Sequence, residues 1–265
     1  MESLPGGLWR EGQRHRGFRF HPVDGSLELA LSDLVASAAS TPAAVTAALS
    51  LALAELASGE PTPERVRQLC VADRQFLMRW LGMHLGERES WLNAACHRCG
   101  ESFDFYLDYR ALPVAEADDH FPEVAVTLER GTWRFRLPNG DDQEALSQSG
   151  EGDPLALLER CLLDPGPGPV SHLTPAECEA IDRALEEATP GVVTEVQARC
   201  PHCGRDNQVA LNPYGFIGRP ADHLLTEVHQ LAVHYHWSER EILALPRARR
   251  SAYLRLIDRA RGMVQ

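Results

Sequence analysis

Apolar residues recur along most of this chain with a helical period, and strict alternation takes over in only a few places. Val66, Leu69, Cys70, Phe76, Leu77 and Trp80 fall at helical spacing behind the start signal Thr62-Pro63-Glu64 and mark one core face. Upstream, "HPVDGSLELALSDLVAS" turns at Asp24-Gly25 and enters a helix. Thr41-Pro42 opens another, with Thr at the cap and Pro in the first turn, which runs to Ser58-Gly59. Residues 34–54 carry no charge, but they are mostly Ala, Ser and Thr around Pro42. They read as two buried helices and not as a membrane span.

Alternation predicts a strand over 102–109 and a hairpin in "VAVTLERGTWRFRL", turning at Arg130-Gly131. After Pro138-Asn139-Gly140 the helical period returns, and Asp153-Pro154 caps "LALLERCLL". Thr174 and Glu177 have capping-box spacing, Pro190-Gly191 ends that helix, and "VVTEVQAR" reads as a strand. Ser238 and Glu241 form a second capping box, and Pro246 separates it from a last helix. Residues 1–20 read as irregular.

The expected class is therefore α+β: mainly helical, with a small β unit. Three parts are expected: the segment 1–20, a body over 21–212, and a helical docking region over 213–265. Within the body the stretches 21–110 and 134–212 rhyme. "RFHPVDGSLELAL" matches "RFRLPNGDDQEAL", and each is followed by apolar helices, a Thr-Pro start (Thr62, Thr174), a Cys-x-x-Cys-Gly and a strand. Internal duplication explains this, and so does a shared strand–turn–helix grammar.

Charge changes the picture in two ways. The net charge of −12 argues against a general nucleic-acid binder, which needs a basic surface to replace phosphate counterions. All 26 basic residues are arginine, and seven of them lie in residues 237–265 against three acids. A basic helical end on an acidic body suits docking to an acidic partner, with a solvated helix face as the plain alternative. No apolar leader opens the chain and the cysteine count is odd, seven, so a cytoplasmic, reducing compartment is expected.

In such a compartment a Cys-x-x-Cys pair is a metal ligand or a redox centre more often than a disulfide. Here "CHRCG" begins at Cys96 and "CPHCG" at Cys200. A redox pair wants a helix N-terminus, whereas both pairs run into strand-like sequence. Two separate sites would each need histidine ligands, and His97 and His202 lie inside the turns, where their side chains point away. One shared tetrahedral zinc on Cys96, Cys99, Cys200 and Cys203 is favoured, in a zinc-ribbon-like unit whose halves are split by a long insertion. With four protein ligands it is closed, hence structural. Cys70, Cys161 and Cys178 read as buried small hydrophobes. The histidines of "DHLLTEVHQLAVHYHWSE" lack metal spacing, and no nucleophile elbow, phosphate loop or paired-carboxylate motif stands out, so no enzyme and no small-molecule substrate is expected.

"HQLAVHYHWSEREILALPRARRSAYLRLI" (229–257), with "RFRLPNGDDQEAL", "CVADRQFLMRWL" and the two Cys-x-x-Cys pairs, resembles the baseplate hub and assembly proteins of T4-like contractile phage tails and of phage-tail-like contractile injection systems. The resemblance covers most of residues 18–257 in order. It implies a structural or assembly protein that touches baseplate or tail proteins, either free in the cytoplasm or within a particle. Trp237, Leu243, Leu245, Arg249, Arg250, Tyr253 and Leu254 are the expected partner anchors, a composition enriched at interfaces. A zinc-ribbon nucleic-acid-binding or regulatory module is the alternative, disfavoured by the charge.

Overall fold

The computed structural model describes residues 2–149, 153–164, 166–212, 214–215 and 221–262. Of these, 46% are helical and 26% extended, so the class is α+β. Residues 213, 216–220 and 263–265 of the expected docking region, and Pro165 in the loop before Thr174, lie outside this set.

The N-terminal segment is a correction: it is not irregular but a β-hairpin. Strand β1 (Glu2–Arg10) pairs antiparallel with β2 (Gln13–Phe20), with a register shift between Ser3 and Leu8. Gly6 and Gly7 make that shift, Gly7 at φ +104°, where other residues are strained. Leu4, Leu8, Phe18 and Phe20 point into the first core. The Gly-Gly bulge breaks the period of two, which hid the strand from its sequence pattern.

Helix α1 (Gly25–Ser37) starts at the Asp24 cap as expected. Helix α2 (Thr41–Ala52) is capped by Ser40, one residue earlier than expected, and stops at Ala52. Leu53–Leu56 then forms β3, the third strand of the sheet, pairing Phe18 with Leu56 and Phe20 with Leu53. "SLALAEL" is apolar enough that neither period is visible in it.

The helix expected from Thr62 onward is broken in two. Helix α3 (Pro63–Gln68) ends where the chain extends, and α4 (Val71–His84) begins at Cys70, whose Sγ accepts the Asp73 N–H at 3.4 Å. The break exists because residues 69–71 spend their backbone groups on a distant segment. Val71 N–H donates to Pro138 O at 3.1 Å and Gly140 N–H to Leu69 O at 3.2 Å.

Strands β4 (Glu89–Ala95) and β5 (Ser102–Asp108) form the first cysteine hairpin. The short β6 (Val114–Ala115) leads on to the expected hairpin β7 (Glu123–Leu128) and β8 (Gly131–Arg136). Helices α5 (Gly140–Ser149), α6 (Pro154–Cys161) and α7 (Pro175–Ala188) follow, the last with the predicted Thr174–Glu177 capping box. Trp133, Phe135, Leu158, Cys161 and Ile181 form a second core with this hairpin. Strand β9 (Gly191–Val192) pairs with β6, which sets the second cysteine hairpin, β10 (Glu195–Arg199) and β11 (Asp206–Ala210), beside the first.

The C-terminal helices α8 (Asp222–Tyr235), α9 (Glu239–Leu243) and α10 (Arg247–Ala260) do not form a free-standing arm. Leu224, Leu231, Ile242 and Ile257 share a core into which α1 sends Leu29. Two correspondences link distant parts. Thr62, Val66, Arg74 and Leu81 of α3–α4 stand where Ser238, Ile242, Arg250 and Ile257 of α9–α10 stand 176 residues later. Phe18, Asp24, Gly25 and Glu28 match Trp133, Asn139, Gly140 and Gln143 at an offset of 115. Asp24 and Asn139 each cap the helix that follows, through Leu27 N–H at 2.9 Å and Asp142 N–H at 3.2 Å.

Candidate metal centre

Each cysteine pair sits in the tight turn of its hairpin, and the two turns have the same construction. Cys96 N–H donates to Glu101 O at 3.0 Å and Gly100 N–H to Cys96 O at 2.8 Å; Cys200 N–H donates to Arg205 O and Gly204 N–H to Cys200 O, both at 2.9 Å. The closing glycines take φ +74° and +70°, which explains why glycine follows the second cysteine in both motifs. The hairpins meet face to face: Ala94, Cys96 and Phe103 pack with Ala198 and Cys200 into a small core of their own.

All four sulfurs converge there. Cys96 Sγ lies 3.6 Å from Cys203 Sγ and Cys99 Sγ 3.8 Å from Cys200 Sγ, and the four ligand atoms lie within 4.8 Å of one another. Four thiolates about 2.3 Å from one tetrahedral zinc would stand about 3.8 Å apart, so this donor set fits a metal ion such as zinc. All seven cysteines are free thiols. Among the described residues no other group of three or more His, Cys, Asp or Glu side chains converges in this way, and the α8 histidines stay apart.

Donation from the Cys99 N–H is the largest influence on Cys96 and, against the effect of burial, brings that thiol down to about 6. Cys99 rises to about 12 although the Glu101 N–H, its largest single influence, favours the thiolate; burial and the three neighbouring sulfurs favour the thiol. Cys96 therefore gives up its proton readily, while Cys99 resists losing its own. A bound dication removes that resistance, because it deprotonates its thiol ligands outright.

His97 and His202 are exposed, as their places in the turns suggested. Asn207 was not singled out from the sequence. Its buried side chain accepts the His97 N–H from the opposite turn at 3.1 Å and donates to Arg205 O in its own at 2.9 Å. The signal available was a polar residue at an inward position of an alternating strand.

The expected partner anchors divide into three groups. Leu243 and Arg250 are buried, which corrects their assignment as surface contacts: Leu243 packs in the α8–α10 core and Arg250 is 0% exposed among Glu28, Glu227 and the Leu245 carbonyl. Trp237, Leu245, Tyr253 and Leu254 are half-buried, Trp237 stacking on Tyr235 at 4.8 Å and meeting Tyr253 edge-on at 4.9 Å. Arg249 is exposed, as are Arg255, Leu256 and Arg259 along the same helix. The burial of Leu243 and Arg250 was hidden because their partners on α1 lie more than two hundred positions away.

No protein-family model, no curated protein and no solved structure matches the chain. Among the described residues no helix is long and apolar enough to cross a membrane.

Proposed function

We propose that this chain is a structural or assembly protein of a contractile, phage-tail-like baseplate, clasped by one structural zinc and acting through contacts with other proteins. The observation that carries the reading is the meeting of Cys96 and Cys99 with Cys200 and Cys203, from hairpins about a hundred residues apart in sequence. A four-thiolate set leaves no position for water or substrate on the ion, so its work is to fasten the two hairpins into one zinc-ribbon-like unit. The resemblance of residues 18–257 to contractile-tail baseplate proteins supplies the assembly context.

The matched residue sets favour a duplication with other bounds than the stretches 21–110 and 134–212, since Thr62 matches Ser238 in place of Thr174 and α9–α10 lies beyond residue 212. In each, a capped Gly-x-x-Glu or Gly-x-x-Gln helix start lies against a buried arginine: Gly25 and Glu28 against Arg250, Gly140 and Gln143 against Arg74. On this reading α3–α4 and α9–α10 are two editions of one helical unit.

The docking face belongs to the exposed side of α10, where Arg249, Arg255 and Arg259 flank Leu256, and not to its buried side. Deleting 237–265 would remove part of the body's interior, so it does not test docking. The double substitution Arg249→Glu with Arg255→Glu does. Purified from a strain that carries the neighbouring genes, the wild-type chain is expected to bring down particle components. The variant should stay folded and zinc-loaded but lose them. Unchanged capture by the variant overturns the docking face, and no particle component on the wild type overturns the baseplate reading.

A further inference from the structure

Three arginines are buried among the described residues, and two of them are fully provided for. Arg74 donates to Gln143 Oε1, Thr46 Oγ1, Val66 O and Pro42 O; Arg250 donates to Glu227, Glu28 and Leu245 O. Arg79 is the exception. It is 6% exposed, its Nε and Nη1 are buried, and neither finds a hydrogen-bond partner among the described residues. Beside those two atoms lies the face of Phe76, 5.6 Å from the guanidinium carbon. A ring face replaces only part of what a guanidinium loses on leaving water.

Arg79 borders a cleft of about 770 Å³ between the β1–β2 sheet, α4 and the segment that leads into β6. Phe20 and Trp80 give the cleft an aromatic wall, with Phe18 buried in the core beside them, and the exposed Arg88 and Arg110 stand at its edge. Arg110 is held by Asp108 at 2.8 Å, while the Arg88 side chain has no ion pair among the described residues. Glu2 is the one acid among the described lining residues, and no ion pair joins it to Arg79. On a chain with net charge −12, an aromatic cleft with surplus positive charge and a guanidinium with two unpartnered nitrogens is complementary to an anion attached to an apolar body.

We infer that this cleft docks a segment of a partner protein that presents a glutamate or aspartate carboxylate next to a large apolar side chain, the carboxylate meeting Arg79 and the side chain lying on the wall of Phe20 and Trp80. The inference rests on the reading of the chain as a protein-docking scaffold. It concerns a surface separate from α10.

The test uses the full-length, zinc-loaded chain and three probes: the blocked tetrapeptide acetyl-Ala-Phe-Glu-Ala-amide, its Gln counterpart, and free 3-phenylpropionate. The Arg79 Nε–H resonance, identified by its loss in Arg79→Met, reports contact. The Glu peptide is expected to shift that resonance and to bind about tenfold or more tightly than the Gln peptide, the usual worth of a charge-assisted hydrogen bond. Arg79→Met should abolish that preference while keeping zinc and thermal stability, since it removes a buried charge with two unpartnered nitrogens, and Arg79→Lys should restore part of it. Equal binding of the Glu and Gln peptides, or no shift at Arg79, overturns the inference. So does binding of 3-phenylpropionate as tight as that of the Glu peptide, which would mark a small-acid site. The outcomes separate from those of the particle capture: a Glu peptide that binds while no particle component co-purifies sinks the baseplate reading alone, and capture without peptide binding sinks the cleft alone.

Discussion

Arg250 Nη2 lies 2.7 Å from Glu28 Oε1, across 222 positions of chain, and its Nε lies 2.9 Å from Glu227 Oε2. One guanidinium with no exposed surface thus ties the first helix of the chain to two of the last three. Removing one member of a buried ion group leaves the others charged and unpaired, which costs more than the group is worth intact. Arg250→Ala should therefore lower unfolding free energy by about 3–5 kcal/mol, read from urea titration. Arg249→Ala, one residue earlier and exposed, should stay within about 0.5 kcal/mol. Equal effects would mean that Arg250 is solvated and α8–α10 only loosely attached.

The cysteine cluster makes a prediction about composition and one about stability. Elemental analysis should find about one zinc per chain, and Cys96→Ser or Cys203→Ser should each abolish it, since each removes one of four ligands. A structural zinc near neutral pH is held by about 10–16 kcal/mol in small zinc domains, so chelation should lower the unfolding midpoint sharply. Cobalt in its place should give the intense tetrahedral thiolate spectrum. Asn207→Ala should keep the metal but lower stability by about 1 kcal/mol, because the partly buried His97 N–H loses its acceptor. Zinc retained in both serine variants would show that the sulfurs are not the ligands.

Gly140 is the tighter of the two glycine joints. A methyl group there would stand 2.4 Å from Arg74 Nη1 and 2.9 Å from the Arg67 Cα. Arg74 has no room to yield, since its guanidinium is held by four acceptors, and the Arg67 Cα is backbone. Gly140→Ala should cost about 1–3 kcal/mol, the range for overpacking a filled interior. Gly25→Ala, with contacts at 2.9 Å to Arg250 Nη1 and 3.0 Å to the Leu243 Cα, should cost less. Denaturant midpoints of the two variants rank the joints, and a stabilising Gly140→Ala would remove the joint from the account.

What could be read from the sequence was what is decided within a few residues. The Thr174 and Ser238 capping boxes form as expected because each closes over three positions. The two cysteine turns were legible for the same reason: Cys-x-x-Cys-Gly specifies its own loop. That the turns meet was argued from ligand count, not from local pattern. Apart from the α2 cap, which moved by one residue to Ser40, the misreadings depend on a distant partner. The β1 bulge is held by Asp73, the break at Cys70 by the 138–140 segment, and the burial of Arg250 by Glu28. Helical period alone cannot separate a face turned to solvent from one turned to a helix two hundred residues away.

Asp73 carries the remaining prediction. Its carboxylate accepts the Gly6 N–H at 2.8 Å and the Gly7 N–H at 2.7 Å, and a methyl group on Gly6 would stand 2.5 Å from it. It is wholly buried, and burial, against the opposing pull of those two donors, raises it from an ordinary 3.8 to about 6. A carboxyl raised by folding favours the native state in its protonated form. Its contribution is complete below about pH 4 and is lost as pH rises through about 6. The difference corresponds to about 3 kcal/mol. Asp73→Asn keeps the shape without the titration, so wild-type stability measured against this variant should fall from pH 4 to pH 7 and then level. Other carboxylates titrate alike in both proteins and cancel. A flat difference across that range would mean that the two bulge N–H groups offset burial and leave Asp73 at its ordinary value or below.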